Sequence, residues 1–269
     1  MNTKTIKQSG ITLLHVKGHI PREFWSESYH SHDHAEVFIH VRGQMELFIE
    51  GNVYYHSGNE IRVYAPMELH FGKCDNDQDM EWYQISLDRS FLNTHPALSD
   101  KITGRPKGCQ NVFISKKHDT IISLIEEIFK KQDSPLADHY VYANIIKTLC
   151  ILNEPENNID VQMGKNECLQ EILEIVNKNL TQIKTVENIA ELSHYSASYI
   201  HRLFKRHLNI TPHKYVIMKK LSLAKELLSN GATISNACFN SGFDDYANFI
   251  TAFRKHFGVT PKNHQKANT

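Results

Sequence analysis

Two groups of residues have types and spacings suited to chemistry. The first lies in "YHSHDHAEVFIHVRG", residues 29–43. His30, His32 and Glu36 share parity, so a regular strand would turn them to one side. Imidazole and carboxylate groups placed together can hydrogen-bond a polar ligand, and they also suit borderline divalent ions. His34, His40 and His56 are expected to be surface or internally satisfied histidines. The second group lies in "TVENIAELSHYSASYIHRLFKRHL", residues 185–208. Its last helical stretch hides Ile200, Leu203 and Phe204 and shows Ser198, His201, Arg202 and Lys205 to solvent. A donor-rich basic face of this kind suits phosphates and base edges.

The second group belongs to a repeat. "FKRHLNITP" at 204–212 returns as "FRKHFGVTP" at 253–261, 49 residues later. Stacked arrays need about three or more units, so two copies imply one duplicated supersecondary unit. In the first copy Thr185 caps a short helix, with Asn188 standing where a full capping box has Glu. Val186, Ile189 and the small Ala190 pack, "SHY" turns, and Ser196 caps the next helix. This is the helix, short turn, helix pattern of a DNA reader. The second copy starts at Thr233, packs Ile234 and Cys238, and turns at Gly242, where positive φ is easiest for glycine. Phe249, Phe253 and Phe257 then face inward. Between the copies, "PHKYVIMKKLSLAKELL" is a connecting helix that opens on Pro212.

The charge follows the same division. Residues 165–269 hold 14 Lys+Arg and 8 Asp+Glu, whereas residues 1–164 hold 16 and 22, so a neutral chain joins a +6 part to a −6 part. The basic part is the one with the repeat, and a basic domain attracts polyanions. No apolar run approaches the roughly 18 residues of a membrane span. The N-terminus "MNTKTIKQSG" has no apolar signal core. The five cysteines are scattered without a C-x-x-C pair, which argues for a reducing cytoplasm and against a disulfide framework or cysteine zinc site.

These groups need elements to position them. From about 29 to 90 the pattern is strand-like: "QMELFIE" alternates Met45, Leu47, Ile49 and "EIRVYA" alternates Ile61, Val63, Ala65, with turn signals between. Short alternating runs of this kind predict a small antiparallel barrel or sandwich. Residues 119–132 place Ile122, Ile125 and Phe129 at helical spacing, and 138–152 do so with Tyr142, Ile145, Ile146 and Leu149. These two amphipathic helices must pack on the barrel or on a second copy of the chain. "NEPENNIDVQMGKN", 153–166, reads as a linker.

Residues 166–269 resemble the DNA-binding domain of the AraC/XylS family of bacterial transcription regulators. The resemblance rests on "IAELSHYSASYIHRLFKRH", "KKLSLAKELL", "ISNACFNSGF" and "FRKHFGVTP". It implies seven helices that hold two readers on one rigid body, entering major-groove segments about 34 Å apart. It implies DNA contacts from Ser196, Ser198, His201, Arg202, Lys205, Arg206, Tyr246, Asn248, Thr251, Arg254 and Lys255. The chain departs from the family pattern at Asn209, Ala247–Asn248, Thr251 and His264–Gln265. At the 49-residue offset the second exposed face is Ala247, Ile250, Thr251 and Arg254. Poor in donors, it is expected to contact thymine methyls and phosphates, leaving more base reading to the first unit.

The N-terminal part resembles a cupin: histidine-x-histidine, three residues, Glu36, six residues, Gly43, and a second half with Gly58, Pro66 and His70. Such a barrel before this DNA-binding domain is the family's usual sugar-sensor layout. The resemblance implies effector contacts from His30, His32, Glu36 and His70, the residues that in metal cupins hold Mn, Fe or Zn. The expected fold is α+β in two domains. The cupin-like barrel spans 1–105, a helical dimerisation region 106–152, a linker 153–165 and the all-α tandem helix-turn-helix domain 166–269. The expected protein is a cytoplasmic, homodimeric, non-enzymatic regulator, an activator by family habit, without cofactor. Its expected partners are double-stranded DNA, a sugar or polyol effector and RNA polymerase. A metal-dependent cupin enzyme fused to a DNA-binding module, or a barrel that only dimerises, are the competing classes.

Overall fold

The computed structural model describes residues 1–269 except 22–28, 57, 75, 162–166 and 268–269, and it leaves the side chains of 55, 56, 156, 266 and 267 undescribed. The side chain of His56 and residues 162–165 of the expected linker therefore lie outside the described residues. The chain divides into two compact units, Met1–Gly164 and Lys165–Thr269.

The first unit is built on ten strands among its described residues: β1 (Asn2–Gln8), β2 (Ile11–Ile20), β3 (Ala35–Arg42), β4 (Met45–Ile49), β5 (Asn52–His56), β6 (Glu60–Tyr64), β7 (His70–Lys73), β8 (Gln78–Leu87), β9 (Val112–Ser115) and β10 (Asn158–Asp160). They pair antiparallel into a seven-stranded sheet, β1-β2-β8-β3-β6-β9-β10, and a three-stranded sheet, β5-β4-β7. Among the described residues no ladder joins the two sheets, which stack to form the cupin-like core. The sheets face each other through Leu47, Ile49 and Tyr54 on one side and Val16, Tyr64, Met80 and Trp82 on the other.

Four α-helices stand among its described residues: α1 (Arg89–Thr94) and α2 (Pro96–Thr103) before β9, and α3 (His118–Lys130) and α4 (Ala137–Asn153) between β9 and β10. The larger sheet has apolar residues on its second face as well: Leu13, Val37, Ile39, Ile61, Val63 and Ile85. Ile121, Ile125 and Ile128 of α3 and Ile145 and Leu149 of α4 cover that face. Each such fully buried aliphatic side chain contributes about 1.5–3 kcal/mol. The helical stripes read from sequence as needing a partner thus find one in their own sheet. Tyr142, assigned to the inner stripe, is 45% exposed. The expected linker also differs. β10 pairs with β9, so residues 158–160 extend the sheet, because Asn158 and Ile159 find ladder partners in Ser115 and Ile114. β1 and β2 precede the stretch that the sequence marked as strand-like.

The second unit holds seven helices among its described residues: α5 (Glu167–Lys178), α6 (Val186–Ser193), α7 (Ala197–Leu208), α8 (Pro212–Ser229), α9 (Ile234–Asn240), α10 (Tyr246–Phe257) and α11 (Pro261–Ala267). The repeat is a list of helix-ending devices. Asn209 ends α7 at φ 52° and Gly258 ends α10 at φ 73°, so the one pair that changes character holds the same left-handed cap. Asn is the non-glycine residue that best tolerates it. Thr211 accepts the Lys214 N–H and Thr260 accepts the Asn263 N–H, both at 3.2 Å, with proline next in each case. Phe204 and Phe253 are fully buried. Asn188 does close a capping box, accepting the Thr185 N–H at 3.2 Å.

Three contacts tie the turn of the second helix-turn-helix segment to the loop that leads into the first. Lys220 of α8, buried, donates to the Ile183 carbonyl at 2.7 Å and the Gly242 carbonyl at 2.8 Å. Lys184 pairs with Asp244 at 2.8 Å. Gly242, at φ 89°, lies so close to Thr181 that a Cβ there would meet its Cα at 2.6 Å. His264 and Gln265, departures from the family pattern, anchor α11: His264 bonds Ser229 Oγ at 3.1 Å and Gln265 donates to the Ala232 carbonyl at 2.6 Å.

Candidate nucleic-acid interface and effector site

The α7 face is set by its N-terminal cap. Ser196 Oγ accepts the Tyr199 N–H at 3.2 Å, starting the helix so that Ile200, Leu203, Phe204 and Leu208 go inward. Ser198, His201, Arg202, Lys205 and Arg206 are consequently exposed. The Arg202 guanidinium lies 5.4 Å from the Tyr199 ring centre, a cation–π contact that steadies it. Ser196 is expected from sequence to touch DNA; its hydroxyl oxygen is here engaged as a cap.

In α10, Asp245 takes the place of Ser196 and accepts the Asn248 N–H at 2.6 Å. The cap falls at the 49-residue offset, where the repeat itself marks its place. Tyr246, Ala247, Asn248, Thr251, Arg254 and Lys255 are exposed. Two details narrow what this face offers. Ile250 is half-buried and packs with the Phe249 and Phe253 core, which corrects its placement on the outer face. The Thr251 hydroxyl donates to the Ala247 carbonyl at 2.9 Å. A negative cap also opposes phosphate at the end of the helix whose dipole would attract it.

In the first unit, parity on β3 and β6 decides what meets the space between the sheets. Odd-numbered Val37, Ile39, Ile61 and Val63 face the helices. Even-numbered Phe38 and Tyr64 pack with the inter-sheet core, and the ladder puts Glu36 opposite Tyr64 and Phe38 opposite Arg62. Glu36 is 5% exposed and anchors a polar cluster. Its Oε2 lies 2.9 Å from His32 Nε2 and 3.8 Å from His70 Nε2; its Oε1 lies 3.1 Å from His34 Nε2 and accepts from Gln84 at 2.7 Å. His30 joins through a bridge to His70, with ring centres 4.5 Å apart. The four residues named from sequence are therefore gathered in one place.

Burial acts to raise the Glu36 pKa, but hydrogen bonds from His32 and His34 outweigh it and hold the carboxyl well below its usual range. Burial and the neighbouring His30 and His32 lower His70 to about 3. Burial works downward on His34 too, yet its bonds to Asp33 and Glu36 bring it to about 9. His34 was set aside in the sequence although it shares parity with its neighbours; it stacks on His32 at 3.9 Å. Gln84 had no short-range signal, since its link to Glu36 crosses from β8.

The donor set fits a divalent ion. Imidazole nitrogens of His30, His32 and His70 come within 4.8 Å of one another, as do donor atoms of His32, His34 and Glu36. His70 Nδ1 is 2.9 Å from the Glu68 carbonyl and His32 Nδ1 is 2.9 Å from the His34 carbonyl, which turns each Nε2 toward the cluster. An ion held there would act as a Lewis acid toward a ligand oxygen.

Comparison with known proteins bears on both sites. A family model described as an AraC-like ligand binding domain matches residues 20–143, and one described as a helix-turn-helix domain matches 189–267. The probable transcriptional regulator LumQ of Photobacterium leiognathi is 24% identical over 242 residues, covering 89% of this chain and 92% of its own. The uncharacterized HTH-type transcriptional regulator YdiP of Escherichia coli (strain K12) is 23% identical over 257 residues, covering 90% and 82%. Among solved structures, ToxT from Vibrio cholerae O395 aligns over 97% of this chain and 99% of its own at 13% identity and a TM-score of 0.41. A ligand-binding domain joined to a helix-turn-helix domain defines a DNA-binding transcription regulator. The chain belongs to the AraC family of such regulators.

Proposed function

We propose that a small hydroxylated molecule, bound between the two sheets of the first unit, controls how the second unit acts on its operator. The observation that carries this reading is the Glu36 cluster: a buried carboxylate surrounded by His32, His34, His70 and Gln84. A sugar or polyol suits it, because hydroxyl groups both donate and accept. DNA contacts fall to Ser198, His201, Arg202, Lys205 and Arg206 on α7 and to Tyr246, Asn248, Thr251, Arg254 and Lys255 on α10, with Ser196 as a cap beside the phosphates. The proposed outcome is activation through RNA polymerase. Relatives named as activators, RhaR of Mannheimia succiniciproducens and the XylDLEGF operon transcriptional activator of Pseudomonas putida, support that sense. The protein is proposed to be non-enzymatic, cytoplasmic and homodimeric. Among the described residues no helix is long and apolar enough to cross a membrane.

The test is a thermal shift of the full chain across a metabolite panel, since a ligand that binds only the folded state raises Tm. Glu36→Ala should abolish the shift and leave basal operator binding intact; a variant that still responds would move the pocket elsewhere. A second reading is that His30, His32, His70 and Glu36 hold a divalent ion at this site, favoured by the convergence of their donor atoms. Metal analysis of the purified chain separates the two. A stoichiometric ion lost in Glu36→Ala supports the second reading, and an ion-free chain that still binds effector supports the first.

A further inference from the structure

The same inter-sheet space holds a charge that the cluster around Glu36 does not use. Arg62 of β6 is 4% exposed. Its guanidinium reaches across to the smaller sheet, where it lies 3.0 Å from Met45 Sδ. Its other contacts are His40 Nδ1 at 3.5 Å, the face of Phe38 at 4.8 Å and a hydrogen bond to the Tyr64 hydroxyl, and its Nε is buried without a partner. No described carboxylate pairs with it. His40 brings no counter-charge: burial and Arg62 itself lower its pKa to about 3, so it is a neutral imidazole.

Arg105 shows what this unit does with a guanidinium that has a structural task. Its Nε is as unpartnered as that of Arg62, but both its terminal nitrogens reach the Glu68 carboxylate, at 2.9 and 2.8 Å, and they also donate to the carbonyls of Val63 and Cys109. A buried cation facing a thioether, an imidazole, a phenol hydroxyl and an aromatic ring has by contrast only neutral partners, which folding alone does not favour.

Register places Arg62 beside the polar cluster. Arg62, Phe38 and Gln84 form one row across β6, β3 and β8, and Tyr64, Glu36 and Ser86 form the next. Rows on one face are about 7 Å apart along the strand. Gln84 links the rows through its bond to Glu36.

We propose that the effector is a small hydroxylated carboxylate, whose carboxylate pairs with Arg62 while its hydroxyl groups meet Glu36, Gln84 and the histidines. A guanidinium fork matches a carboxylate's two oxygens. One guanidinium balances one negative charge, which favours a carboxylate over a phosphate dianion. The inference rests on the reading that the effector lies between the sheets.

Two measurements on the full chain test it. The first needs no ligand: Arg62→Met should leave Tm unchanged or raise it, whereas Arg105→Met should lower it. An equal loss in both variants makes Arg62 structural and overturns the proposal. The second is calorimetry with lactate, glycerate, gluconate, glucuronate and galacturonate against glycerol, glucitol, glucose and inorganic phosphate. At least one hydroxycarboxylate should bind, with affinity at least about tenfold weaker in Arg62→Met. A neutral compound that binds wild type and Arg62→Met alike overturns the anionic effector and keeps the site. Binding of phosphate alone overturns the carboxylate. No binding by any probe, charged or neutral, overturns the proposal together with the effector reading beneath it.

Discussion

The two helix-turn-helix segments agree where they hold themselves up and disagree where they face outward. Phe204 and Phe253 are buried alike, Asn209 and Gly258 make the same left-handed cap, and Thr211 and Thr260 start the next helices in the same way. Outside, Ser198, His201, Arg202 and Lys205 stand against Ala247, a half-buried Ile250, a Thr251 bonded to its own helix, and Arg254. The neutral cap Ser196 becomes the charged Asp245. The supporting turns differ as well: Ser196 lies eleven positions after Thr185 and Asp245 twelve positions after Thr233. The longer turn contains Gly242, and that glycine packs on Thr181 in the loop that leads into the first segment. Duplication has kept the scaffold and released the reading face.

The comparison can be broken hardest at that touch point. Gly242→Ala forces a Cβ into the Thr181 backbone at positive φ, so it should cost about 3 kcal/mol or more in urea unfolding. Its counterpart in the first turn is His194, at φ 59°. His194→Gly should be neutral or stabilising by up to about 1 kcal/mol. Equal costs at the two positions would mean the turns are not different after all. Lys220→Met leaves the Ile183 and Gly242 carbonyls without their charged donor and should cost about 2 kcal/mol. Loss of operator binding larger than that destabilisation explains would show that Lys220 also sets the spacing of the readers. The smallest effect is expected from Asp245→Asn, which preserves the cap and removes the charge. Operator affinity should rise a few-fold at low salt and converge with wild type at high salt.

Much of this was legible in the residues. The repeat announced the duplicated unit, and its proline, threonine and phenylalanine positions have the roles their chemistry implies. Alternation placed Leu47, Ile49, Ile61 and Val63 correctly because strand parity is a local property. It says nothing of Arg62 and Tyr64, because a strand between helices and a second sheet is buried on both faces and no local pattern shows that. His34 has the right parity but lies outside the histidine-x-histidine and glutamate positions of the cupin pattern. Gln84 and the contact of Gly242 with Thr181 depend on pairing between distant segments, which a single sequence does not display. The apolar stripes of α3 and α4 were visible, and the surface they cover was not.

The central claim is that the first reader supplies base preference and the second supplies attachment. Selection on randomised duplex DNA with the full chain, run for wild type, Arg202→Ala and Arg254→Ala at two salt concentrations, tests it most directly. Arg202→Ala should lose about 1–3 kcal/mol of discrimination at one base in one half of the site. Arg254→Ala should keep the wild-type motif, weaken all sequences alike, and reduce the slope of log K against log salt by about 0.9. If Arg254→Ala erases a base preference while Arg202→Ala only scales affinity, the roles of the two helices are reversed.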